Sequence, residues 1–139
     1  MSEKYLIFGA TGSIGSSLSK QLKDSGKEVH LVARDESEVK NLSEQLGCSY
    51  TVADVLENGF LDKVKADVPD VKGIAYCVGS IVLKPLRMIK EDEFNQCMKL
   101  NCYSALEIVK GYQDTLKKSK GSVVLFSTVL SEEVLLITE

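Results

Sequence analysis

The segment Tyr5-Leu6-Ile7-Phe8-Gly9-Ala10-Thr11-Gly12-Ser13-Ile14-Gly15 opens on a short apolar run and continues through three glycines, each separated by two residues. An apolar run of this length that ends in glycine suits a strand buried on both faces. The glycines fit a turn into a helix where a diphosphate comes close to the backbone. Side chains must be absent there, and the N–H groups and dipole of the helix start meet the anion. Gly15 would let that helix pack tightly on the sheet. Gly9, Thr11, Gly12, Ser13, Ile14 and Gly15 are therefore the expected phosphate-binding residues.

The rest of the chain repeats the same alternation. Ile14, Leu18 and Leu22 recur every fourth position and predict a helix over 13–25, closed by Gly26. Further strands are expected at 29–33, 49–53, 73–78 and 122–126. Helices are expected at 36–46 (closed by Gly47), at 56–65, and over 90–118 with a break near Asn101. Five strands separated by helices make βαβ units and force a parallel sheet covered on both faces. Right-handed crossovers favour the strand order 3-2-1-4-5. The expected fold is thus α/β, a three-layer doubly wound parallel sheet of the NAD(P)-binding Rossmann kind. Residues 1–129 form one dinucleotide-binding domain, followed by an atypical tail, 130–139.

Composition excludes other classes. The 139 residues carry 17 Lys+Arg against 20 Asp+Glu, a net charge of −3, with 44% hydrophobic and 27% charged residues. That is too apolar for disorder. No apolar run approaches the roughly 18 residues of a membrane span, and the apolar N-terminal stretch is too short for a secretion signal. Mild acidity argues against nucleic acid as a partner. The four cysteines, Cys48, Cys77, Cys97 and Cys102, form no CxxC pair, and His30 is the single histidine. They read as reduced core thiols of a cytoplasmic protein, with no metal site expected.

The end of the second strand bears on which dinucleotide is bound. A free ribose 2′-hydroxyl is usually held by an acid about 20 residues beyond the glycines. Here the sequence reads Val32-Ala33-Arg34-Asp35. Arg34 can pair with a 2′-phosphate in a charge-assisted, bidentate contact. Asp35 would suit NAD if it faced the ribose instead. NADP is the favoured cofactor, with NAD left open.

Further motifs resemble the short-chain dehydrogenase/reductase family over residues 4–129. Ala53-Asp54-Val55 is similar to the segment after the third strand that holds the adenine. Tyr76-Cys77-Val78-Gly79 stands where the family carries Asn-Asn-Ala-Gly. Asp92-Glu93-Phe94 and Met98-Lys99-Leu100-Asn101 resemble the stretch leading to the family's active-site asparagine. Gly121 to Thr128 resembles the fifth strand ending in the catalytic Ser-Ser pair. By that likeness Asp54, Val55, Cys77, Val78 and Gly79 join Arg34 and the glycine loop as cofactor-binding residues. Cys77 in place of an asparagine and the GxxGxxG spacing depart from the usual family pattern.

The resemblance implies hydride transfer between a nicotinamide and the carbon of a small carbonyl or alcohol substrate of unknown identity. Thr128, or Ser127 in its place, would hydrogen-bond the substrate oxygen, and Asn101 would hold a water of the proton relay. The family's Tyr-x-x-x-Lys is not in the chain: four residues after its five tyrosines stand Gly9, Asp54, Ser80, Glu107 and Leu116. The expectation is a truncated or frame-changed reading frame, inactive as it stands. The alternatives are a non-catalytic NADP(H)-binding sensor or scaffold, and a reductase whose acid/base comes from elsewhere. The fifth strand and an apolar stripe (Leu106, Val109, Tyr112, Leu116) would then lack a cover. Self-association through that edge, or the tail 134–137 folding back or swapping, would supply one.

Overall fold

The structure is a computed structural model that describes residues 3–80 and 84–127. Strands β1 (Lys4–Phe8), β2 (Glu28–Ala33), β3 (Ser49–Val52), β4 (Gly73–Tyr76) and β5 (Ser122–Leu125) form one sheet in the order β3-β2-β1-β4-β5, with every pairing parallel. Period-2 alternation along β1 sends Leu6 and Phe8 to one face and Ile7 to the other, and each set belongs to a different core cluster.

Helices α1 (Ser13–Asp24) and α2 (Glu36–Leu46) cover the Ile7 face, where Leu18, Leu22, Val39 and Leu42 pack with Val29 and Leu31. The opposite face carries α3 (Phe60–Asp67), α4 (Glu91–Met98), α5 (Ser104–Gly111) and α6 (Gln113–Ser119). There Phe60, Val64, Ile108 and Tyr112 close over Leu6, Phe8 and Ile74. Among the described residues no helix is long and apolar enough to cross a membrane.

Helix α2 keeps its expected bounds because both ends are chemically marked. Asp35 caps its start and Gly47, at φ 65°, ends it. Helix α3 begins at Phe60, later than position 56. The Asp54 carboxylate accepts the Leu56 N–H at 2.9 Å and the Asp54 carbonyl accepts the Glu57 N–H, so these residues form a turn. Residues 90–118 do break at Asn101, as a π-helical turn over Lys99–Tyr103, and break again at Tyr112.

Two expectations need correction. Tyr112 is not part of an uncovered stripe: it is fully buried and its hydroxyl donates to the Val68 carbonyl at 2.7 Å. Nor are all four thiols in the core. Only Cys48 is buried, Cys77 and Cys97 are half-buried, and Cys102 is exposed.

Candidate dinucleotide-binding site

The carboxyl ends of β1, β2, β3 and β4 open into a cavity of about 450 Å³. Its walls bring together Gly9, Thr11, Gly12, Arg34, Asp54, Val55, Cys77, Val78 and Gly79. These nine come from four separate segments of the chain, and a doubly wound sheet places ligands at this end. The loop after β1 is shaped by two glycines that no other residue could replace. Gly9 has φ +73° and a Cβ there would stand 2.7 Å from the Cys77 carbonyl oxygen. A Cβ on Gly15 would stand 2.1 Å from the Gly9 oxygen.

Gly12 is different. Its φ of −73° and ψ of 172° suit any residue, and an added Cβ would meet only the Gly9 oxygen, at 3.5 Å. The protein's own packing does not demand a glycine there, whereas a diphosphate approaching the backbone does. Gly12 caps α1 with no side-chain hydrogen bond, and the first turn holds no acid. The first N–H groups of the helix thus have neither an intrahelical acceptor nor a side-chain cap, which fits an anionic cofactor group. Ser13 and Ile14 belong to this first turn, outside the cavity walls, and both side chains are exposed.

At the end of β2, Asp35 accepts the Glu38 N–H at 3.0 Å as the cap of α2, while exposed Arg34 lines the cavity. Asp54 is half-buried, with one oxygen on the Leu56 N–H. The π-helical turn ties this rim together. Lys99 Nζ donates to the Leu56 carbonyl at 2.9 Å and Ser104 Oγ to the Val55 carbonyl at 2.9 Å. The Tyr76 hydroxyl donates to the Leu100 carbonyl. Asn101 Nδ2 donates to the carbonyls of Ser80 (2.9 Å) and Cys97 (3.0 Å), and its Oδ1 accepts the Ser80 N–H at 3.2 Å. A Cβ on Gly79 would come within 3.3 Å of that Oδ1, a tight approach that the Asn101 side chain would have to ease.

A larger apolar groove of about 1370 Å³ adjoins the cavity. Cys77, Val78, Gly79, Ser80, Glu93 and Cys97 line both, and Asn101 and Ser127 line the groove alone. Asn101 and Ser127 therefore share one surface, while Thr128 lies outside the described residues. Sequence reasoning missed the contribution of α4 and of the π-helical turn after it, where Glu93, Gln96 and Cys97 of the helix and Leu100 of the turn line the cavity. Their spacing of three, one and three residues is that of one helix face, a signal present in the sequence. Among the described residues no group of three or more His, Cys, Asp or Glu is placed to hold a metal ion.

A doubly wound sheet with a glycine cradle at the start of its first helix is the arrangement of a dinucleotide-binding domain. The family model described as enoyl-(acyl carrier protein) reductase matches residues 9–137. The chain belongs to this short-chain dehydrogenase/reductase family. Two tropinone reductase homologs of Arabidopsis thaliana, one of them described as chloroplastic, are 31% and 30% identical to it. The matches cover 89% of this chain but 42% and 52% of those proteins, so the chain spans about half the length of the curated relatives it matches. Among solved structures, an alcohol dehydrogenase from Thermococcus sibiricus complexed with 5-hydroxy-NADP superposes with a TM-score of 0.85 at 23% identity. That match covers 97% of this chain and 62% of the other. A short-chain dehydrogenase/reductase family protein reaches a TM-score of 0.90 at 18% identity, covering 96% of this chain and 58% of its own. These likenesses concern the fold.

Proposed function

We propose that this chain is the NADPH-binding part of an oxidoreductase that moves a hydride between the nicotinamide and a carbonyl or alcohol carbon. One observation carries the choice of NADPH: the Asp35 carboxylate is engaged by its own helix, at 3.0 Å from the Glu38 nitrogen, while Arg34 stands on the cavity wall. The guanidinium is then the group that meets the ribose 2′ position, where it pairs with phosphate. Asp54 and Val55 hold the adenine, and Cys77, Val78 and Gly79 line the ribose side. Gly9, Thr11, Gly12 and the first-turn N–H groups of Ser13, Ile14 and Gly15 receive the diphosphate.

The dinucleotide supplies the hydride when bound. Thr128, or Ser127 in its place, hydrogen-bonds the substrate oxygen as charge develops there. The Asn101 amide is engaged with backbone on both sides, so it fixes the loop and turn beside which a relay water is held. Residues 1–129 make up this domain and 130–139 the tail. The four free thiols suit a reducing compartment such as the cytoplasm.

Thermal melts with NADPH and with NADH test the reading. At about 100 times its dissociation constant, a ligand of the folded state adds roughly 2.7 kcal/mol, a shift of several degrees. The shift is expected to be larger for NADPH, and Arg34→Ala is expected to remove that preference while keeping a response to NADH. No shift with either dinucleotide overturns the proposal, and equal shifts overturn the role of Arg34. Binding without turnover of any carbonyl compound leaves the sensor reading.

Self-association belongs to the same proposal. Strand β5 pairs with β4 alone among the described residues, and Val124, Leu125 and Phe126 are 48%, 57% and 52% exposed. An apolar strand edge of this kind is a template for pairing, and a second copy is the proposed cover. Sedimentation velocity should find a dimer or larger species that Val124→Lys dissociates. A wild-type monomer at every concentration would refute it.

A further inference from the structure

The apolar groove beside the dinucleotide cavity is open among the described residues. Its walls come from α1, α4, α5 and β5, and the large side chains on them, Ile14, Phe94, Leu106, Leu125 and Phe126, are each more than half exposed. A contiguous apolar patch of this kind marks a surface that something occupies. It is not the strand edge assigned above to a second copy. Val123 packs against the core cluster that holds Ile108 and Tyr112. Leu125, two residues on, shares its sheet face, so the groove lies on a face of β5 and leaves the hydrogen-bonding edge free.

The chain that follows β5 matches this surface. Ser127 is itself part of the groove wall, so residues 128–139 start there. Half of these twelve residues are apolar: Val129, Leu130, Val134, Leu135, Leu136 and Ile137. Leu130, Val134 and Ile137 recur at the spacing of one helix face. Twelve residues reach roughly 18 Å as a helix and at most about 40 Å when extended, ample for a groove of about 1370 Å³ that begins at their attachment. A segment tethered so closely is present at an effective concentration on the order of millimolar. In dilute solution that exceeds any second copy of the chain competing for the same surface.

We propose that residues 128–139 fold back into the apolar groove of their own chain and exclude apolar compounds from the space beside the dinucleotide cavity. Burying the apolar half of the segment against Phe94, Leu106 and Phe126 is the driving force. Cys77, Val78, Gly79, Ser80, Glu93 and Cys97 wall both spaces, so the seated segment stands against the cavity itself. It is then an autoinhibitory contact, present before any substrate arrives. That consequence rests on reading the groove as the place of the carbonyl or alcohol substrate. The seating of the segment does not.

The thiols of the full chain report on the seating. Cys102 is exposed among the described residues and lines the groove, whereas Cys48 is buried in the core. N-ethylmaleimide should modify Cys102 about tenfold more slowly in the wild type than in a variant carrying Leu135→Asp and Leu136→Asp, with Cys48 slow in both. Three single variants, Val134→Cys, Leu135→Cys and Leu136→Cys, are then treated with oxidised glutathione. At least one should form a disulfide with Cys97 or Cys102 of its own chain, a result that stands even if the Asp variant fails to fold. Equal Cys102 rates in wild type and a folded Asp variant overturn the proposal, as does the lack of any such disulfide. Disulfides formed only between chains overturn it too, because they give the groove to a second copy. Fluorescence of 8-anilinonaphthalene-1-sulfonate should rise several-fold in the Asp variant, and an unchanged signal overturns the exclusion of apolar compounds. If neither protein responds to NADPH in a thermal melt, the cofactor reading has failed by itself, and the thiol results still decide the seating.

Discussion

Gly15→Ala is expected to remove much of the chain's stability, whereas Gly12→Ala, three residues earlier, keeps the fold and abolishes dinucleotide binding. The difference follows from what a Cβ meets. At Gly15 it would lie 2.1 Å from the Gly9 oxygen and 2.9 Å from Ala10 Cα, both backbone atoms in the turn that joins β1 to α1. Neither can swing aside as a side-chain end would, so the helix must part from the strand. Overpacking of this severity costs about 3 kcal/mol, out of a typical total of roughly 5–15 kcal/mol. In a domain of this size that lowers the melting midpoint by roughly 10 °C. At Gly12 the nearest atom is 3.5 Å away and the backbone is extended, so alanine fits with little strain. Its methyl group would instead occupy the path of the diphosphate to the first-turn N–H groups. Calorimetry of both variants, each with an NADPH titration, separates the effects. Equal destabilisation, or a Gly12→Ala variant that still responds to NADPH, would refute the assignment of Gly12 to the ligand and Gly15 to the fold.

Other glycines explain why so much of the architecture was legible from sequence. Gly9, Gly26 and Gly47 end their elements with positive φ, and between them the apolar spacing changes from strand to helix period. Strand order follows from handedness once five such units are counted. What sequence could not supply was decided by single side chains. Helix α3 starts late because one Asp54 oxygen captures a backbone N–H two residues on. The spacing of Leu106, Val109, Tyr112 and Leu116 gives a helix face but not which members of it face the core. Tyr112 went inward, with its hydroxyl on the Val68 carbonyl, while Leu106 stayed 54% exposed.

The site divides in a similar way. Residues on the turns after β1, β2, β3 and β4 were readable because topology alone brings those turns to one end of the sheet. The ties made by Lys99, Asn101 and Ser104 were not readable. They depend on the extra residue that a π-helical turn inserts, which rotates Asn101 toward Ser80 and places Ser104 beneath Val55. A break near Asn101 could be expected from the sequence, but its helical type could not.

Below about pH 6.5 the chain is expected to lose stability steadily until about pH 4, with His30 as the cause. The ring is 3% exposed on β2, with Nδ1 2.7 Å from Ser49 Oγ and Nε2 2.7 Å from Thr51 Oγ1. Thr51 donates its own proton to Asp67 Oδ2 at 2.5 Å. Its oxygen can then only accept from the ring, so the hydrogen is on Nε2 and Nδ1 accepts from Ser49. Burial first, and Lys4 second, push the imidazole down from 6.5 to about 4, against a smaller upward pull from Asp67. As the pH falls through 6.5 the unfolded chain takes a proton that the folded chain refuses. Stability is therefore complete above that value and falls by about 1.4 kcal/mol per pH unit, to a loss of about 3 kcal/mol near pH 4. Urea unfolding between about pH 7 and pH 4.5 measures the slope, and His30→Gln should flatten it by that amount. Because the chain has one histidine, its ring nitrogens can be followed by NMR without assignment ambiguity. A ring that titrates near 6.5, or that carries its hydrogen on Nδ1, would refute this one-way chain of donors from Ser49 to Asp67.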